Sequence, residues 1–259
     1  MTANCVIDHA HAKPNAPDKD GDLHIAVRSK DIGLPAVAEI MNAASQPAAL
    51  ALVKTKDATD QPVQIKGAWR LWCEHPSKNP QVQGAPVAPA KNTNPDHVFE
   101  IHPITAVGNI PVLATFKPIV GYKPYPAAKA FARYEGLSCK ITPGTTRTTI
   151  ETPKAVYNYA EFVIRPMGPR QSLPDGTRVQ ADVLDKNGKA VANRPMVFVK
   201  GSPPEQALRK LPKSRTMHVL GVPRISLQNV LWRLQMAKQG KSGYLTATLP
   251  YEMIIAAAY

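Results

Sequence analysis

Six of the seven histidines lie in the first half of the chain, each beside or near a carboxylate: Asp8-His9-Ala10-His11, Asp22-Leu23-His24, Glu74-His75, Asp96-His97 and Glu100-Ile101-His102. Residues i and i+2 of a strand share a face. His9 and His11 on one strand, His24 on a second, and Glu100 with His102 on a third therefore form a candidate ligand set for one divalent metal. Imidazole and carboxylate donors suit zinc, copper, manganese or iron, and a metal held there would activate water for hydrolysis. The alternative is structural. His102, ahead of Pro103, is then a buried histidine bonded to backbone at a strand end, and Asp22 and Glu100 cap turns or pair with Arg28 or Arg70.

The second half carries a different chemistry. The chain has a net charge of +13, and the excess is not shared evenly. Residues 1–124 hold 12 Lys+Arg against 11 Asp+Glu, while residues 125–259 hold 20 against 8. A basic half points to a polyanion partner such as nucleic acid, an anionic glycan or an acidic membrane surface. The candidate contacts are Arg165, Arg178, Arg209, Lys210, Lys213, Arg215 and Arg224, and phosphate contacts of this kind make affinity fall steeply with salt. Trp72, two residues from Arg70 on the same strand face, and Tyr157 are the candidates for stacking on bases or sugar rings. The competing reading is that the Lys and Arg are a solvated surface and that Trp72 packs under a loop.

Other chemistries have no support in the chain. It contains no phosphate-binding G-x-x-x-x-G-K-[ST] loop, no G-x-G-x-x-G, no G-x-S-x-G and no H-E-x-x-H. The three cysteines, Cys5, Cys73 and Cys139, form no C-x-x-C pair; Cys5 and Cys73 either bridge or serve as small buried hydrophobes. No run of apolar residues is long enough for a membrane-spanning helix. Met1–Cys5 has neither the basic nor the apolar region of an export signal.

Twenty-six prolines and a low aromatic content favour short strands joined by irregular loops. Strands are expected at Cys5–His11, Leu23–Arg28, Val63–Trp72 and Val98–Val107, and a helix at Leu34–Ala44 from the spacing of Leu34, Val37, Ala38 and Met41. The second half is expected to place strands at Val156–Arg165, Arg178–Leu184, Ala190–Lys200 and Thr216–Gly221, with Asn187-Gly188 turning a hairpin. Ser202 and Ser226 read as N-caps of helices Pro203–Leu211 and Leu227–Lys238. Tyr244–Tyr259 reads as a final strand, either central or offered to a second copy for self-association. Val63-Gln-Ile-Lys-Gly67 and Met217-His-Val-Leu-Gly221 read as matching strands that end on glycine. The two halves, 1–124 and 125–259, are thus expected to be tandem barrels with a few short helices.

Asp20-Gly-Asp22-Leu-His24, Ala38-Glu39, Val63-Gln-Ile65-Lys-Gly67 and Glu100-Ile-His102-Pro103-Ile104 resemble a group of small, mostly exported bacterial proteins with an oligonucleotide/oligosaccharide-binding (OB) barrel related in fold to thermonuclease. The resemblance covers about 100 residues of the first half; residues 125–259 lie outside it. It implies an OB-like Greek-key barrel and an exported or periplasmic setting, but no reaction, and no set of thermonuclease catalytic residues is matched. The combined expectation is a mostly β protein of two OB-like barrels that binds an anionic polymer, single-stranded nucleic acid first, without catalysis. The alternatives are a metal-dependent hydrolase or oxidative enzyme, or an assembly protein.

Overall fold

The computed structural model describes residues 1–155, 157–212 and 215–259, and it is mostly β. The first sheet is built from β1 (Thr2–Ala10), β2 (Leu23–Arg28), β3 (Ala36–Ile40), β4 (Pro62–His75), β5 (His97–Val107) and the short β6 (Ile110–Pro111), with helix α1 (Pro47–Lys56) between β3 and β4. Its order is β3-β2-β1-β4-β5-β6, and a parallel pairing of β3 with β5 closes it. Alternation in β1 turns Ala3, Cys5 and Ile7 inward onto Ile25, Val27, Ile65 and Ile101.

Residues 36–40 form a strand and not the expected helix. Leu23 pairs with Ile40 on one side and Val37 with Glu100 on the other, and all five residues are buried. A short apolar run buried on both faces carries no usable period, so helical spacing of four residues was no guide there.

The second half opens with β7 (Tyr125–Pro126), α2 (Ala127–Glu135) and a small sheet of β8 (Ser138–Pro143) and β9 (Thr148–Glu151). The main sheet follows: β10 (Ala160–Leu173), β11 (Gly176–Leu184), β12 (Ala190–Val199), then α3 (Pro203–Lys210), β13 (Met217–Ile225), α4 (Leu227–Lys238), β14 (Thr246–Thr248) and β15 (Tyr251–Ala258). Its order is β11-β12-β15-β13-β10-β7, closed by β10 on β11, while β14 joins the small sheet. Of the strand expected from Val156, that residue lies outside the described set and the regular pairing begins at Ala160. Ser202 and Ser226 cap α3 and α4 by accepting from the amides of Glu205 and Asn229. β15 is hydrogen-bonded on both sides, to β12 and β13, and buried over nearly its whole length. It is a central strand, so it offers no edge for self-association.

The two sheets share one path. In each, the first, second and third strands run in order, a helix precedes the fourth, and the fifth pairs in parallel with the third and antiparallel with the fourth. A third apolar cluster joins them: Met41, Ala68, Phe116 and Ile119 pack with Tyr159, Leu220, Val222 and Ile254. Trp72 of β4 enters the core of the second half and meets Tyr134 edge-on at 5.8 Å. All three cysteines are free, Cys5 in the first core and Cys139 in the second, so the Cys5–Cys73 bridge is not formed. Among the described residues no helix is long and apolar enough to cross a membrane.

Gly67 and Gly221 hold matching places, each at a register shift of a fourth strand against a fifth. Neither ends its strand, which runs on to His75 and to Ile225. A Cβ on Gly67 would lie 2.6 Å from Ile101 Cγ2 and 2.7 Å from the Pro103 carbonyl oxygen. At Gly221 it would lie 3.0 Å from the Ile254 oxygen and 3.2 Å from the Phe162 ring. Gly67→Ala should cost about 1–3 kcal/mol by overpacking, and Gly221→Ala less, because the Phe162 ring can tilt. Urea denaturation of both variants checks the order, and a neutral Gly67→Ala contradicts it.

Candidate functional site

Two places concentrate chemistry. The first is the seam between the halves. Alternation along β5 turns Glu100 and His102 to the outside of the first barrel, where β3 adds Glu39, β4 adds Arg70, and the turn before β2 adds Asp22. On an isolated barrel these groups would face water. Here the second half covers them, and Asp22, Arg70 and His102 are fully buried, with Glu39 and Glu100 nearly so.

The contacts form a continuous network. His102 Nε2 lies 2.7 Å from the Tyr159 hydroxyl, which donates to Asp22 Oδ2 at 2.8 Å. His102 Nδ1 lies 3.4 Å from both Glu39 Oε2 and Glu100 Oε2. Arg70 binds Glu100 through Nη1, donates to Glu74 at 3.3 Å and donates through Nε to the Pro223 carbonyl at 2.8 Å. Arg224 returns the gesture: its Nη1 donates to the Trp69 carbonyl at 3.0 Å, and its guanidinium stacks 3.9 Å from the Trp69 ring. Each half thus hands one arginine to the backbone of the other.

The electrostatics follow from this placement. Burial pulls the His102 pKa down, but Glu39, Glu100 and Asp22 outweigh it and raise it to about 9. Its two N–H groups then donate to Tyr159 on one side and towards the carboxylates on the other. Burial raises Asp22 well above the usual carboxylate range against the pull of His102. Burial also works against the Glu100 charge, but Arg70 with His102 and His97 holds it well below that range.

Of the expected metal set, Glu100 and His102 join this network, and His24 approaches Glu39 at 3.8 Å. His11 stacks on His24 with centroids 5.1 Å apart, and His9 sits on β1 outside the cluster. The five do not converge. The donors that do, within 4.8 Å of one another, are Asp22, Glu39 and His102. His102 Nε2 is taken by the Tyr159 hydroxyl, while Nδ1 only faces Glu39 and Glu100 at 3.4 Å. Asp22 and Glu39 were not picked as donors; both lay in the motif stretches, and Asp22 was read only as a turn cap or an arginine partner.

The second place is a cleft of about 310 Å³ on the outer face of the second half, lined by β11, β12 and α4. Arg178 and Gln180 rise from β11, Asn193 and Arg194 from β12, and Asn229 and Trp232 from α4. Arg178 and Arg224 share the single carboxylate of Glu252, at 3.5 and 2.7 Å, which leaves one positive charge uncompensated. Arg194 is paired with Glu135 and lies over the Tyr251 ring at 4.6 Å. Helix α4 packs Val230 and Leu234 on the core and also buries Arg233, while Leu227, Leu231 and Trp232 stay exposed. Trp232, 42% exposed, meets Tyr244 edge-on at 4.9 Å.

The expected polyanion contacts divide. Arg178 lies in the cleft. Arg165 and Arg209 are paired on the surface with Asp182 and Glu205, and Lys210 and Arg215 are exposed away from it. Lys213 lies outside the described residues. Arg224 is buried at the seam, so it meets Glu252 and Trp69 and not a polymer. Trp72 is core and cannot stack on a ligand. Tyr157 is half-buried at the seam, against Tyr125. The aromatic that sequence reading missed is Trp232, whose signal was its position beside Leu231 on a helix that also carries a buried Arg233.

No protein-family model matches the chain, and no curated protein matches it. A solved structure described as "Structural mimicry for functional antagonism" aligns with 87% of this chain and 84% of its own, at 10% identity and a TM-score of 0.21. That likeness is too slight to bear on fold or function.

Removing one partner of a buried ion pair leaves an uncompensated charge, which costs about 3–5 kcal/mol. Arg70→Met should fall in that range, and Arg70→Met combined with Glu100→Gln should cost less than the sum of the two single changes. A strictly additive double-mutant cycle contradicts the network.

The pH dependence has a definite sign. The folded His102 pKa of about 9 exceeds its ordinary 6.5, so its stabilisation is complete below pH 6.5 and is lost as pH rises through about 9. The melting temperature should drop over that window, and His102→Gln should flatten the drop while lowering stability overall. An unchanged melting temperature in the wild type across the window contradicts the assignment.

Proposed function

We propose that this protein is a non-catalytic binder of single-stranded nucleic acid, built from two OB-like Greek-key barrels, residues 1–124 and 125–259, with the ligand held in the cleft of the second. The observation that carries the reading is the cleft at β11, β12 and α4, which combines an incompletely paired guanidinium with exposed aromatic surface. In an OB barrel the second and third strands and the connection between the fourth and fifth form the oligonucleotide face. By strand order these are β11, β12 and the α4 connection.

Each component has a task. Arg178 meets phosphate, Trp232 and Tyr244 offer faces on which bases stack, and Gln180, Asn193 and Asn229 offer hydrogen bonds to base edges or sugars. Asn229 Oδ1 is buried without a hydrogen-bond partner among the described residues, an acceptor that a base amino group would satisfy. The first barrel differs. Its own connection between β4 and β5 folds back on it, with the Gly84 amide on Gly33 and the Ala90 amide on Asp8 Oδ2, both at 2.9 Å. The corresponding approach in the second half is open.

The test is fluorescence anisotropy of a labelled single-stranded oligonucleotide across a salt series. Affinity should fall linearly in log salt. Trp232→Ala should weaken binding by about 1–3 kcal/mol, and Arg178→Ala should reduce the salt slope by about 1. Absence of binding at low salt, or full affinity in Trp232→Ala, would sink the reading.

A further inference from the structure

We propose that a second cleft, at the seam between the halves, binds a guanidinium group, carried by a small guanidine or by an arginine side chain. It has a volume of about 340 Å³ and lies directly over the buried network. In a chain with a net charge of +13, this cleft is lined by four carboxylates: Asp20, Glu39, Glu74 and Glu100.

The acids alone would not identify a ligand; the unpaired acceptors do. Glu39 is 4% exposed, and its buried Oε2 has no hydrogen-bond partner among the described residues. The nearest imidazole nitrogens, His102 Nδ1 at 3.4 Å and His24 Nε2 at 3.8 Å, lie beyond good hydrogen-bond geometry. Asn158 Oδ1, across the cleft, is likewise buried without a donor. A buried acceptor without a donor is costly, so two facing one cleft call for a ligand that donates from more than one nitrogen.

The aromatic wall supports the same chemistry. Tyr125 and Tyr157 pack with centroids 4.1 Å apart, and the Lys129 ammonium lies 5.7 and 5.6 Å from their rings. This pair already holds one cation of the protein's own. Tyr157 keeps a φ of 77°, which holds its ring at the rim at some backbone cost.

A guanidinium suits the cleft better than its competitors. Its planar fork spreads several donors and stacks on aromatic rings, whereas an ammonium is a compact point charge. The seam already holds guanidinium in both of these ways, Arg70 between Glu100 and Glu74, and Arg224 on Trp69. A divalent metal needs converging donors, and of those that converge only Glu39 lines the cleft, while Asp22 and His102 do not and His102 Nε2 is taken by Tyr159. The proposal is independent of nucleic-acid binding, which uses the opposite chemistry at a different cleft.

The experiment is calorimetric titration of the full-length protein with agmatine, alongside butylurea as a neutral planar control. Agmatine should bind and butylurea should not. Glu39→Gln should weaken agmatine by roughly tenfold or more, as expected for loss of a charge-assisted hydrogen bond. Should Glu39→Gln unfold, Asn158→Ala at the half-buried rim carries the same test, with a smaller loss expected. A glycyl-arginyl-glycine amide separates the sources: tighter binding than agmatine assigns the group to a polypeptide, weaker binding to a small molecule. No heat from either compound, equal binding of butylurea, unchanged affinity in the folded variants, or saturable Mn²⁺ binding with none by agmatine would each overturn the proposal.

Discussion

Charges taken out of water must be met on every side, and the seam of this protein is organised by that demand. Asp22, Glu39, Arg70, Glu100 and His102 all come from the first half, yet they are buried only because the second half covers them. The cover is itself polar where it must be. Tyr159 supplies the hydroxyl between His102 and Asp22, and the Pro223 carbonyl receives the Arg70 Nε–H. Neither half alone satisfies the network, so the relative placement of the halves is specified by hydrogen-bond geometry as well as by the apolar cluster around Met41, Tyr159 and Ile254. Apolar surfaces tolerate sliding; a histidine with donors aimed at opposite sides does not.

The same strand path serves different ends in the two halves. The outer face of β3, β4 and β5 is spent on the seam, and the long β4–β5 connection lies over the rest of the first barrel. The second half meets the seam through Tyr159, β13 and β15, and the cleft at β11, β12 and α4 has none of these seam residues in its lining. Helix α4 shows the consequence. A helix packed on a sheet normally keeps its large apolar side chains off the solvent face. This one turns Val230 and Arg233 inward and exposes Leu227, Leu231 and Trp232. Exposed apolar side chains next to an uncompensated guanidinium are an arrangement that folding alone does not reward.

Local signals in the sequence were read correctly where the physics is local. Glu100 and His102 share a face because strand side chains alternate, and Ser202 and Ser226 cap helices because their hydroxyls satisfy free amides. Where packing decides, the reading failed. Residues 36–40 carry helical spacing but are strand, because pairing with both β2 and β5 overrides a weak period. Arg70 and Trp72 read as neighbours on a binding face; both are buried, the first in the ion network and the second in the other half's core. Tyr159 stands 137 residues from Asp22 in sequence, and nothing near it announces the contact. Arg224 counted as surface charge because composition cannot tell a solvated arginine from one that crosses a seam.

The charge asymmetry acquires a structural meaning from these positions. The first half is nearly neutral overall, but Asp20, Asp22, Glu39, Glu74 and Glu100 gather at the seam, where Arg70 and His102 partly balance them. The second half keeps its excess of cations, and those in the α4 cleft are only partly matched by Glu252 and Glu135. The two proposed sites therefore differ in the sign of the ligand they would take, and each is walled by aromatics. A polyanion drawn to α4 is repelled from the carboxylates at the seam, and a cation drawn to the seam is repelled from Arg178. Interactions between exposed charges fade beyond about 10 Å at ordinary salt, so each cleft is governed by its own lining and not by the net charge of the chain. Net charge alone would have pointed to anions everywhere; the burial of Glu39 without a donor is what separates the two.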